Sequence, residues 1–235
     1  MRQRSCAVGL WLTRTIDFQW VTTFAKGGRV GTYTSLVVIA PDLNLGWTIM
    51  GSGRRWDLPD GLTRELAGIV GSRMIEMWLE AAREQAGEVF GGRYASPIPG
   101  LNSTLTVRSD DGRPGIGVYN WISNGTDMAP ATVAFGWPAT PEDLKPLQPS
   151  IRLYPTGLQE ALPDGGRRVS FRGVFEDLSD DPVLNSFVQP CDTWVRTLAI
   201  YGSKPIDLFV FTLDKNGKAV SVENLALRSK LDRVA

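Results

Sequence analysis

Residues Ala25 to Gly53 read AKGGRVGTYTSLVVIAPDLNLGWTIMGSG, and the reading of this stretch decides how the chain begins. Thr32–Ala40 is β-branched and largely apolar, and Leu45–Met50 repeats that character after Pro-Asp-Leu-Asn. Pro41 cannot continue a central ladder, while Asp42 and Asn44 supply turn chemistry, so two strands joined by a turn are expected. Asp17–Ala25, mixed but aromatic and threonine-rich, adds a third strand before them. The three make an antiparallel sheet, and their near-continuous apolar character predicts cover on both faces. Judged on spacing alone, Lys26-Gly27-Gly28 bends the chain ahead of a strand or lets another backbone come close. Tyr33 and Ser35 then share one strand face.

Further along, the period changes. Leu62, Leu66, Ile69/Val70, Met74, Met77/Trp78, Ala81/Ala82 and Val89 recur at three- and four-residue steps, which predicts a helix over Asp60–Phe90 with this stripe against the sheet. Asp60 serves as its N-cap and Gly91-Gly92 as its stop. From Arg93 onward the texture is all-β. Apolar-alternating segments at Leu101–Arg108, Ile116–Ile122, Ile151–Tyr154, Val169–Phe175, Thr193–Ile200, Leu208–Leu213 and Ala219–Leu227 stand between the turns DDGRPG, NGTD, LPDGG and DKNG. The last of these echoes a calcium loop but lacks its remaining ligands and is assigned as a hairpin turn. The expected fold class is α+β: a sheet with one packed long helix over residues 1–90, then an all-β barrel or sandwich over residues 91–235.

Composition excludes several chemistries. There is no histidine in 235 residues, so no Ser-His-Asp or Cys-His engine and no histidine-ligated zinc can form. Lys, Tyr, Asp and Glu are left for acid–base work. The 25 basic and 25 acidic residues cancel, which argues against a nucleic-acid partner; Arg167, Arg168 and Arg172, the tightest basic cluster, are assigned to a solvated strand edge. Cys6 and Cys191 are either two buried thiols or one long-range disulfide. No run approaches the roughly 18 apolar residues of a membrane span. MRQRSCAVGLWLTRT has a basic opening but a short apolar stretch and no A-x-A-like cleavage site, so it is a poor signal peptide. Two sequons, Asn102-Ser103-Thr104 and Asn124-Gly125-Thr126, are compatible with glycosylation and a secretory history.

The opening stretch resembles the K-x-G strand of β-lactamase-related serine hydrolases, the penicillin-recognising fold. It is most similar to the fungal branch, where a Lys/Gly-rich start leads into Gly-x-Tyr-x-Ser, an apolar strand, Pro-Asp/Glu and a second apolar strand. The resemblance continues through the helix into FGGRY, and then through NWISNGTD, VSFRGVF, PCDTW and YGSKPIDLFVFTLDKNGKAVSVENLALR. These resemble the C-terminal domain appended in that group, so the similarity covers nearly the whole chain from about Gly9. It implies that Lys26-Gly27-Gly28 takes the place of K-x-G. Lys26 would supply positive charge, Gly28 would let an acyl substrate lie against the strand edge, and the backbone N–H of Arg29 would be an oxyanion donor. No cofactor or metal is implied.

The sequence contains no S-x-x-K, Y-x-N or S-x-N, the motifs that in this family precede the K-x-G strand and carry the nucleophile. A truncated β-lactamase-like sheet, the C-terminal portion of a longer hydrolase without autonomous acyl transfer, is the expectation. Its sheet should expose an apolar face suited to self-association or to the missing N-terminal half. The competing expectation is a non-catalytic ligand- or protein-binding module built on the all-β domain. In it Trp121, Trp137 and Trp194 either line a pocket or fill the core.

Overall fold

A computed structural model describes residues 10–16, 19–52, 60–110, 113, 115–135, 148–178 and 200–234. Cys6, Cys191, Trp137 and Trp194 lie outside the described residues, as does most of the expected strand Thr193–Ile200. The chain is mostly β and divides into two compact units, Met1–Ala82 and Arg83–Ala235.

The first unit is an antiparallel sheet in chain order: β1 (Leu10–Ile16), β2 (Gln19–Val30), β3 (Tyr33–Ala40) and β4 (Leu45–Ser52). It has one strand more than expected, because Leu10–Ile16 pairs with Gln19–Ala25 across a very short connection. Lys26-Gly27-Gly28 lies inside β2 rather than ahead of a strand. Pro41–Leu43 forms a single 3-10 turn between β3 and β4. It ends at Asn44, whose φ is 50° and whose N–H donates to the Pro41 carbonyl at 3.0 Å. Asn tolerates that left-handed conformation better than most residues.

The helix α1 (Asp60–Phe90) begins and ends where the sequence placed it, but its packed face differs from the expected one. Ala40 of β3 and Ile75 of α1 are buried together, with Leu43, Leu45, Trp47 and Leu79 around them. The covered row is Ala67, Gly71, Ile75 and Leu79, one i, i+4 line. Leu66, Ile69, Val70, Met77 and Trp78 of the expected stripe stand exposed, Met77 at 68%. The reason is close approach: a Cβ on Gly71 would lie 2.4 Å from Cζ2 of the Trp47 ring. Small residues bring this row down onto the sheet, whereas a count weighted by large apolar residues selects the other row. The sheet lacks the cover on both faces that its continuous apolar runs predict, but it does expose an apolar face, the other expectation for it. Val38 and Ala40 are buried on one face, but Val30, Tyr33, Val37, Ile39 and Met50 on the opposite face are exposed.

The second unit contains β5 (Gly92–Ala95), β6 (Thr104–Arg108), β7 (Ile116–Ser123), β8 (Thr126–Asp127), α2 (Met128–Phe135), β9 (Pro149–Ala161), β10 (Arg167–Asp177), β11 (Ile200–Tyr201), β12 (Lys204–Pro205), β13 (Leu208–Leu213), β14 (Ala219–Asn224) and β15 (Ser229–Val234). Eight of them form a closed antiparallel ring, β5-β6-β7-β9-β10-β13-β14-β15, in which β15 pairs back onto β5. The expected barrel or sandwich is therefore an up-and-down barrel. Bulges at Asn120 on β7 and near Gly157 on β9 bend the strands.

Among the described residues, large side chains fill the barrel interior. Tyr94, Leu105, Val107, Trp121, Leu153, Phe171, Phe175, Phe209, Phe211 and Leu213 fill it, each exposed by 4% or less. Gly173 makes room for this filling: a Cβ there would sit 3.3 Å from the Phe209 ring and 3.5 Å from that of Phe175. Trp121 packs edge-on against Phe209 at 5.1 Å between centroids and is core, not pocket lining. Arg167 and Arg172 of the basic cluster are exposed, as expected of a solvated cluster, but the strand they stand on is not an edge. Arg168 and Arg172 lie on β10, between β9 and β13 in the ring, and pair with carboxylates: Arg168 with Glu223 at 3.1 Å and Glu160 at 3.6 Å, Arg172 with Asp207 at 2.6 Å.

The end of α1 is built into this unit. Phe90 meets Phe171 and Phe211 edge-on at 5.0 and 5.2 Å. The Tyr94 hydroxyl donates to the Phe90 carbonyl at 2.6 Å, and burial pushes its pKa up to about 12, against the lowering influence of Arg233. Arg233 on β15 donates to the carbonyls of Val89 at 3.3 Å, Ala219 at 3.1 Å, and Gly91. A helix end leaves carbonyls without intrahelical partners, and a cation there also opposes the helix dipole. Arg233→Met, which keeps the stem and removes the donors, is expected to cost about 2–4 kcal/mol. Urea unfolding at matched protein concentration measures it; an unchanged midpoint would remove Arg233 from this role.

Candidate active-site strand and barrel surface

The register of β2 on β3 sets Lys26 opposite Val37, Gly28 opposite Ser35 and Val30 opposite Tyr33. Side chains alternate across a strand, so Lys26, Ser35, Tyr33 and the open position at Gly28 share one face. It is the face opposite buried Val38 and Ala40, and so the face that α1 leaves bare. The Lys26 ammonium is exposed and donates to the Gly27 carbonyl at 2.7 Å. A Cβ on Gly28 would sit 3.3 Å from Ser35 Oγ, so a side chain there would press on that hydroxyl. Arg29 stands opposite Thr34, and its Nε reaches the Gly31 carbonyl at 3.4 Å. Lys26 and Gly28 thus lie on one face of β2, and Arg29 projects from the other. A cation beside backbone stripped of side chains can hold an anionic or acyl oxygen. Ser35, mid-strand in β3 and followed by Leu36, Val37 and Val38, has no lysine three residues on.

The barrel carries two other features. Arg152, 6% exposed, makes a two-pronged pair with Asp110 at 2.7 and 2.8 Å. Asp110 also accepts from the Tyr119 hydroxyl, and Arg113 pairs with Glu176 and donates to Ser150 Oγ at 2.6 Å. Gly117 lets Tyr119 fold back over the strand, since a Cβ there would be 2.8 Å from the ring. Every charge in this network has a partner, which is the condition for keeping buried charge. Outside the ring, an open groove of about 820 Å³ runs past Gly91, Gly92, Thr104, Thr106, Asn120 and Ile122. Among the described residues no group of three His, Cys, Asp or Glu side chains is placed to hold a metal, and no helix is long and apolar enough to cross a membrane.

The sequence profile of a family described as "Beta-lactamase-like-like, C-terminal domain" matches residues 82–235. The chain belongs to this family. The β-lactamase-like C-terminal domain therefore coincides with the barrel unit and the last turns of α1. A "Beta-lactamase-like protein" of the fungus Arthroderma benhamiae is 26% identical over 89% of the chain, an alignment long enough to reach into the first unit. The chain spans 37% of that relative's length. No solved structure matches.

Within the β-lactamase-like C-terminal domain, the Arg152 network is what sequence reasoning missed. Its members lie tens of residues apart and acquire their pairing only when β6, β7, β9 and β10 close side by side. Burial raises the Asp110 pKa, but the hydrogen bonds from Arg152 and Tyr119 and the charges of Arg152 and Arg113 outweigh it, holding the carboxyl below its ordinary value. A lowered folded pKa contributes stability above the unfolded value of about 3.9, and that contribution is lost as pH falls through the folded pKa. The stability difference between wild type and Asp110→Asn is therefore expected to shrink as pH is lowered from about 5 to about 2. Urea titrations at stepped pH report it, and a gap constant across that window would show that Asp110 is not held ionised.

Proposed function

We propose that the chain is the C-terminal part of a β-lactamase-like serine hydrolase, bearing one wall of the acyl-transfer site and no nucleophile of its own. The observation that carries this reading is the sharing of one bare sheet face by Lys26, Gly28 and Ser35. In the parent enzyme Lys26 supplies positive charge to the cleft, Gly28 admits the acyl group, and the Arg29 N–H serves the oxyanion. Family membership supports the reading, and so does the absence of S-x-x-K, Y-x-N and S-x-N from the 235 residues. On this reading the four strands and α1 are a truncated β-lactamase-like sheet. The barrel is the appended domain.

Incubated with nitrocefin and p-nitrophenyl esters, the chain is expected to show no turnover above its Lys26→Ala and Ser35→Ala controls. Turnover abolished by Ser35→Ala would give the chain a nucleophile of its own and end the proposal. A fusion supplying an N-terminal region with S-x-x-K and Y-x-N should restore hydrolysis that Lys26→Ala lowers.

The bare sheet face and the exposed row of α1 also support association, with copies of the chain or with the missing N-terminal half. Sedimentation velocity is expected to show concentration-dependent self-association. Ile39→Thr with Met50→Thr should weaken it by about tenfold, roughly 1.4 kcal/mol. A monodisperse monomer at every concentration would remove this part of the reading.

A second reading, a binding module on the barrel, draws on the open groove beside β5, β6 and β7, because the barrel interior is full. Tryptophan-fluorescence titration with glycans and lipids separates it from the first.

A further inference from the structure

The two sequons lie on different loops, and folding makes them neighbours. Asn102 is in the loop between β5 and β6, and Asn124 is the first corner of the two-residue turn between β7 and β8. Asn124 and Gly125 have φ of 48° and 83°, the Asn-Gly geometry that suits a tight hairpin turn. The Gly125 N–H donates to the Asn102 carbonyl at 2.7 Å, and the Asn124 N–H donates to Oγ of Ser103 at 2.9 Å. Ser103 is the buried middle residue of the first sequon. A Cβ on Gly125 would lie 4.0 Å from Nδ2 of Asn102, the atom that would carry a sugar. Both asparagines are exposed, and neither carboxamide hydrogen-bonds to another described residue. The hydroxyls two residues on, Thr104 and Thr126, sit on β6 and β8.

We propose that this corner of the barrel is a paired acceptor patch for N-linked glycans, Asn102 and Asn124 carrying neighbouring sugars. The proposal is independent of the hydrolase reading. In each transfer the amide Nδ2 forms a bond to the anomeric carbon of a polyprenyl-pyrophosphate-linked oligosaccharide. The bond from that carbon to pyrophosphate oxygen breaks, polyprenyl pyrophosphate leaves with the electron pair, and the amide gives up one proton. The fold accommodates both products because each asparagine is exposed on a loop anchored through its backbone. A patch modified in this way must face solvent in any longer protein that contains it.

The test is expression of the full chain behind a secretory leader in yeast, with protein recovered from cells and medium together. Glycans are removed enzymatically in ¹⁸O-water, which marks each formerly occupied asparagine as labelled aspartate. Label at both Asn102 and Asn124 is expected, with Asn102→Asp and Asn124→Asp each removing one step of gel mobility shift and the double variant removing both. The exposed positions and the tolerance of Asp for the left-handed turn keep these variants folded. The glycosylated protein is expected to melt cooperatively within a few degrees of unglycosylated protein made in bacteria. Label at one asparagine alone or at neither, or loss of cooperative melting on glycosylation, would overturn the paired patch.

Discussion

The last turn of α1 contains no basic residue, so its free carbonyls depend on donors from elsewhere. They come from Tyr94, just past the helix, and from Arg233, more than 140 residues away in sequence. That one capping arrangement ties three things together. It finishes the helix, fixes β5 at its start, and holds β15 where it must be to pair with β5 and close the ring. An unclosed ring would leave two edge strands open to unwanted pairing. The same closure keeps the aromatic filling dry, since Phe90 and Tyr94 both pack against Phe211.

The first unit follows a different rule. Its helix sits on the sheet through the row Ala67, Gly71, Ile75 and Leu79, and this choice leaves Leu66, Ile69, Val70, Met77 and Trp78 in water. The sheet repeats the asymmetry, with Val38 and Ala40 covered and Val37 and Ile39 bare. Isolated exposed apolar residues are ordinary, but two extended apolar surfaces in one small unit are not. The candidate catalytic strand lies on one of those surfaces. Its lysine and its glycine gap share that surface with Ser35.

Strand–turn–strand lettering made β3, β4, β13 and the hairpin turns legible from sequence, as did the bounds of α1. At the DKNG turn, for example, the Asp214 carboxylate accepts from the N–H groups of Asn216 and Lys218, and Gly217 has φ of 82°. β5, of four residues, and the polar β15 were missed because each becomes a strand through its partner rather than through its own propensity, whereas β1, LWLTRTI, carries strand character that was passed over. The face of α1 was misjudged because periodicity weighs side-chain size, and here close approach decided the packing. Lys26, Gly28 and Arg29 were legible as a motif. That Lys26 and Gly28 share the uncovered face, while Arg29 lies on the other, required the register of β2 on β3. The Arg152–Asp110 pair has no sequence signature at all, because neither residue type nor spacing distinguishes it from a solvated charge.

In the barrel every strand pairs with the next along the chain, and the only long-range step is the pairing of β15 with β5. The chain therefore enters and leaves the ring through adjacent strands. Such a module occupies a single point of attachment in whatever polypeptide carries it, much as an inserted or appended domain does. It can be joined to a host without stretching either partner, and its separate core, already filled, asks nothing of the host in return. That portability follows from closing the ring between its first and last strands.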